Sequence, residues 1–171
     1  MILKVGDPDL RKVENEVDDF DSQLFKDDLN LLIDSLEKYK GMGIAAPQIG
    51  ISRRLLIIDS KPNSRYPHAP TTGRLILVNP HIEKSSDEYE YGWEGCLSVP
   101  GKRVNVKRST QISISYKKQD GTPVVTDLTG FAARVFLHEF DHLEGISILD
   151  RAESPGDIIS EEEYFKNLPQ K

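Results

Sequence analysis

The chain has 171 residues, of which 37% are hydrophobic and 29% charged, a composition that suits one globular domain over 1–171 with its own core. Its net charge of −6 at pH 7 argues against broad nucleic-acid binding, which draws its affinity from Lys and Arg on phosphates. One cysteine excludes an internal disulfide, no apolar run is long enough for a membrane span, and the opening MILKVGDPDLRK lacks the apolar core of a secretory signal, so a cytoplasmic protein is expected.

Residues 1–20 read as an irregular start with a turn around GDPDLRK. In SQLFKDDLNLLIDSLEKY, Phe25, Leu29, Leu32 and Leu36 share one face of an amphipathic helix, with Asp21 or Ser22 as N-cap and Gly41 as stop. GMGIAAPQIG is too glycine-rich for a regular element and too apolar for an exposed loop. RRLLIID and RLILVNPHI read as buried strands, separated by a polar loop, SKPNSRYPHAPTTG. EYEYGWEGCLSVPG reads as extended. RVNVKRSTQISISYKKQDGTPVVTDL alternates apolar and polar around Asp-Gly and reads as a hairpin. From Gly130 to Glu144 the period becomes helical, with Gly145 as C-cap, and 155–171 holds a short terminal helix or tail. The fold class expected is α+β, mostly antiparallel sheets around the late helix.

That late helix contains VFLHEFDHLEG. His138 and His142 stand four residues apart on one helical face and can reach a single ion. Glu139, about 100° around the helix, would flank that ion as a general base rather than bind it. Phe131 and Val135 extend the same stripe backward, so the metal face continues into an apolar wall. Two histidines and a glutamate on an apolar helix are costly to bury unless paired or ligated. A catalytic site wants a third protein ligand and one open position. After Gly145 comes ISILDRA, with no third histidine. His68 and His81 lie in or beside Pro-containing segments, which leaves Cys96 in EGCLSVPG as the strongest candidate, although a lone Cys is more commonly a small packed thiol.

GMGIAAPQIG, EGCLSVPG and HEFDHLEG together, in that order, resemble the three motifs of the peptide deformylases, and the resemblance runs from ILKVGDPDLRKV to about ILDR. It implies a metal-dependent hydrolase that removes the N-formyl group from the initiator methionine of new peptides. It implies Cys96, His138 and His142 as ligands of one divalent metal, natively iron(II) with zinc, nickel or cobalt as possible occupants, and water in the fourth position. It implies Glu139 as proton carrier for that water, the Gln48 side chain and the Leu97 N–H as oxyanion donors, and Met42, Gly43, Phe131 and Val135 as substrate-binding residues, Gly43 along the peptide backbone.

The other readings concern supporting residues. Asp141 either orients a ligating histidine or a nearby backbone group, or is an exposed charge. Glu94 and Arg103 are candidates for an ion pair holding EGCLSVPGKR. Leu137 stands where the family commonly has glutamine, and tuned packing is expected there. The alternatives are another small metal-dependent amidase or peptidase, and a non-catalytic metal-binding relative. The partners implied are formylmethionyl nascent chains near the ribosome; the acidic SEEEYFKN argues against docking through a basic C-terminal helix.

Overall fold

A computed structural model describes residues 1–64 and 66–167. Helix α1 spans Gln23–Tyr39; Ser22 is its N-cap, its hydroxyl accepting from the Phe25 N–H at 3.2 Å, and Phe25, Leu29, Leu32 and Leu36 are its buried stripe. The helix ends at Tyr39 and is capped one residue before the expected glycine. Lys40 takes the left-handed cap conformation, φ 52°, while Gly41 is needed for close approach: a Cβ there would lie 2.9 Å from the Gly43 carbonyl oxygen.

The glycine-rich segment does form regular structure, correcting the expectation above. Strand β1 (Gly43–Ala45) pairs antiparallel with β2 (Leu55–Ser60), and a 3-10 turn over Ala46–Ile49 follows β1. Its apolar residues decide this, because all of 43–45 is buried and buried backbone must be paired. β3 (Gly73–Ser85) pairs with β2. β4 (Tyr89–Cys96) and β5 (Val99–Ser109) make an irregular hairpin with a register shift between Glu94 and Cys96. β6 (Gln111–Lys117) and β7 (Pro123–Thr129) form the hairpin around Asp120 and Gly121.

The segment RVNVKRS therefore does not belong to that hairpin. β5 lies in a second sheet, ordered β4-β5-β8 with β8 at Ile158–Ser160, whereas the first sheet runs β1-β2-β3-β6-β7. Two-residue alternation is the same in either sheet, so periodicity could not show where the chain crosses over. β8 escaped notice because three residues carry no period.

β2 is a continuous apolar run because it is buried on both faces. Leu55 and Ile57 pack with α1, while Leu56 and Ile58 face the cluster built on α2 (Gly130–Leu143). α2 thus lies across the first sheet, opposite α1, with Phe136 and Leu143 fully buried. Glu144 caps it, and Gly145 follows at φ 71°, where a Cβ would strike the Arg11 carbonyl at 2.6 Å. A short α3 (Glu161–Lys166) ends the described chain, and residues 168–171 of the expected tail lie outside the described residues. No helix among the described residues is long and apolar enough to cross a membrane.

Candidate active site

Cys96 ends β4, and the two histidines stand on the face of α2 turned toward it. The ligating atoms of Cys96, His138 and His142 all lie within 4.8 Å of one another, with Cys96 Sγ 3.3 Å from His142 Nε2. One ion at ordinary metal–sulfur and metal–nitrogen lengths wants its ligand atoms about 3.5 Å apart, so the donors fit a single divalent cation. The chemistry fits as well. Burial pushes the Cys96 thiol up, but His142 and His138 outweigh it and hold the group well below its ordinary value, as a thiolate. That thiolate in turn holds His138 well above its ordinary value, against the desolvation that would lower it. A metal cation satisfies the thiolate in place of that proton.

The network behind the histidines differs from the pairing the sequence suggests. Glu94 does not pair with Arg103; that guanidinium meets Glu161 instead. Glu94 and Cys96 are two residues apart and both turn inward, whereas Arg103 lies on the other face of β5 from Val104, Val106 and Arg108. Glu94 accepts from His138 Nδ1 at 2.9 Å and from Arg108 through two bonds of 3.0 Å, and Arg134 adds a second guanidinium at 2.9 Å. Burial would raise the Glu94 carboxyl, but these partners hold it far below the usual carboxylate range. Asp141 is buried, not exposed. It accepts from Arg108 at 2.6 Å and from Arg151 at 2.6 and 3.0 Å. Since Nδ1 of His138 is engaged, its Nε2 is the nitrogen left for a metal, an outer carboxylate fixing tautomer and ring angle. Arg108 had a visible signal: it follows Val104 and Val106 at the inward positions of β5, where a cation needs a partner.

Glu139 is buried, and its Oε2 has no hydrogen-bond partner among the described residues. Burial, only partly offset by His138 and His142, pushes its carboxyl up to about 7. Gly43 lies against it: a Cβ on Gly43 would sit 2.9 Å from Glu139 Cγ and Oε1 and from the Ile57 carbonyl oxygen. The glycine therefore makes room for the carboxyl as well as keeping the strand backbone open. Gln48 accepts from the Ala45 N–H through Oε1 at 2.9 Å, which turns its Nε2 to Cys96 Sγ at 3.7 Å and Ser98 Oγ at 3.2 Å. The Ser98 N–H donates to the same sulfur at 3.4 Å.

A cleft of about 620 Å³, partly open to solvent, is lined by every predicted site residue except His142, which lies beneath it. Met42, Val135 and Phe131 form an apolar wall continuous with the core. Tyr66 and Trp93, not anticipated, complete the rim. Leu137 does not line the cleft; like Phe140, it is partly buried and packs against the core cluster.

Residues 1–157 match the polypeptide deformylase family. The chain belongs to that family. It is 46% identical to peptide deformylase 2 of Nostoc sp. over 95% of this chain and 91% of the relative. It is 44% identical to peptide deformylase 1 of Prochlorococcus marinus over 88% and 79%. Among solved structures, the class I type b peptide deformylase of Acinetobacter baumannii, bound to Met-Ala-Ser, is similar at TM-score 0.85 and 37% identity, covering 88% of this chain and 96% of that one. The peptide deformylase of Thermotoga maritima follows at TM-score 0.80 and 40% identity, with 90% and 97% covered. Peptide deformylases are metalloenzymes that remove N-formyl groups from nascent peptides, so the chain is a hydrolase with a cluster suited to a metal.

Proposed function

We propose that this chain deformylates the N-terminal formylmethionine of new peptides at the cleft above Cys96, His138 and His142. The observation carrying this is the pairing of three convergent side chains able to hold a metal with a buried Glu139 oxygen that has no hydrogen-bond partner among the described residues, on one wall of the cleft. The three ligands would hold one divalent ion, natively iron(II), with zinc, nickel or cobalt able to occupy the same donor set. When bound, that ion supplies Lewis acidity and makes hydroxide available near neutral pH.

The chain's own residues do the rest. Glu139 takes a proton from the attacking water as the bond to the formyl carbon forms, and returns it to the departing amine nitrogen as the C–N bond breaks. A carboxyl raised by burial is suited to both transfers. Gln48 Nε2 and the Leu97 backbone N–H donate to the oxygen of the tetrahedral formyl carbon. Gln48 is ready for this because the Ala45 N–H fixes its amide. The Gly43 edge takes the peptide backbone in extended form, and Met42, Phe131 and Val135 receive the methionine side chain.

The reading treats 1–171 as one catalytic domain, supported by α2 packing on the first sheet while bonding to β4 and β5 of the second. It places the protein in the cytoplasm, where formylated chains emerge. The acidic first turn of α3, Glu161 to Glu163, is unlike a basic docking helix. The test is formate release from formylmethionyl peptides by anaerobically purified protein, with elemental analysis beside it. About one metal per chain and turnover of formylated but not acetylated peptides is expected. Equal turnover of acetylated peptides would replace the reading with a general amidase.

A further inference from the structure

Arg103 is fully buried; its Nη2 donates to Glu161 at 3.3 Å, while its Nε and Nη1 have no hydrogen-bond partner among the described residues. Aromatic faces surround it: the guanidinium carbon lies 4.8 Å from the Tyr66 ring centroid, 4.6 Å from Tyr164 and 5.4 Å from Phe165. A planar, weakly hydrated guanidinium is the side-chain cation best suited to such stacking out of water. Two of these rings and the carboxylate come from α3, beyond the residues matched to the family. The third, Tyr66, is at the rim of the cleft.

Tyr66 connects the cage to the site. Its hydroxyl accepts from the Gly95 N–H at 2.9 Å, one residue before Cys96. Its ring meets Phe131 edge-on, 6.1 Å between centroids. Its backbone is tied to Asn63, whose side chain reaches the Lys40 carbonyl, just ahead of Met42 and Gly43. On the tail side, Tyr164 also lies against Trp93, 6.4 Å between centroids, and Trp93 lines the cleft.

We infer that Arg103 is a positioning residue for the substrate cleft, setting the Tyr66 wall of the methionine pocket, and that the C-terminal segment Ile158–Lys166 is the clasp that holds Arg103 in place. The inference rests on the cleft being the peptide site. Arg103 touches neither the proposed ligands nor Glu139, so its effect falls on substrate binding and not on the bond-breaking step. Losing the clasp frees Tyr66 to swing from Gly95 and Phe131, which widens the pocket.

The test is steady-state kinetics on formyl-Met-Ala-Ser with metal content measured for each variant. Arg103→Met keeps the length and removes the cation; it is expected to raise KM about tenfold with kcat within about twofold and metal retained. Arg103→Lys does not rescue, because an ammonium has no planar face to stack. Tyr164→Leu, at a partly buried ring, leaves the buried cation in place, raises KM in the same direction and serves if Arg103→Met does not fold. Phe131→Ala is the control for the pocket itself. If Phe131→Ala raises KM while Tyr164→Leu and the Arg103 variants leave it unchanged, or lower kcat and metal content together, the positioning role is overturned and the pocket reading stands. If Phe131→Ala also leaves KM unchanged, the pocket reading itself has failed.

Discussion

His138 and Glu94 are joined by a 2.9 Å bond between Nδ1 and a carboxylate oxygen, and the same carboxylate accepts from Nε and Nη2 of Arg108. One buried side chain thus orients a candidate metal ligand and neutralises a cation.

Glu94→Ala removes both functions. It leaves Arg108 and Arg134 facing a missing carboxylate, and breaking a buried pair from one side costs about 3–5 kcal/mol. Metal affinity is expected to fall about 10- to 100-fold through the lost orientation of His138. Chelator competition and thermal unfolding measure the two effects. Metal affinity unchanged in Glu94→Ala would show that the ring is held without this bond.

Cys96→Ala and Glu139→Gln separate holding the metal from using it. Cys96→Ala is expected to lose or weaken metal binding. Glu139→Gln is expected to retain about one metal per chain while turnover falls roughly 10²- to 10⁴-fold, the usual weight of a proton carrier. Elemental analysis and formate release read the two quantities. Normal metal and rate in Cys96→Ala would remove Cys96 from the ligand set.

Gly43→Ala tests the closest packing in the cleft. The added Cβ meets Glu139 and the Ile57 carbonyl at 2.9 Å; the carbonyl belongs to a paired strand and cannot easily retreat, so residue 43 is pushed away from it and the Glu139 side chain is displaced. A shift of about 1 Å at such a group costs about 10²-fold in rate. Activity is expected to drop by that order with metal content intact, and wild-type turnover would mean that the strand gives way instead.

Asp150 gives a pH-dependent prediction. Burial raises its carboxyl, but Arg11 at 2.5 Å and the Ser147 N–H at 2.7 Å outweigh burial, and the group sits below its ordinary value. A lowered native pKa means the folded state binds the proton less tightly than the unfolded chain. Its contribution to stability is present above the unfolded value of about 3.9 and is lost as pH falls through the native value. Asp150→Asn is expected to lower Tm by about 2–4 °C at pH 7, roughly the loss of one capping interaction. The gap should close as pH drops below about 4. A gap constant down to pH 3 would assign the effect to packing and not to charge.

The stripe Phe131, Val135, His138, His142 was legible because a helix repeats every 3.6 residues and a short window carries its whole geometry. The apolar faces of α1 and the run in β2 were legible for the same reason. The pairing of Glu94 was not, because any of several cations lay within sequence reach and only strand register decides which one faces it.

By itself the sequence determined the helix that presents two candidate metal ligands and the class of fold, since these depend on local periodicity and on side-chain chemistry, while Cys96 as the third candidate rested on the resemblance of three motifs. Only the tertiary structure decided that β5 leaves the β6–β7 hairpin for a second sheet. It alone turned Glu94 to His138 and Arg108, and buried Arg103 under a tail that carries no period. Each of these is a contact between residues far apart in the chain, and pairing, burial and ion-pair choice at such distances are set by the competition among all packed partners.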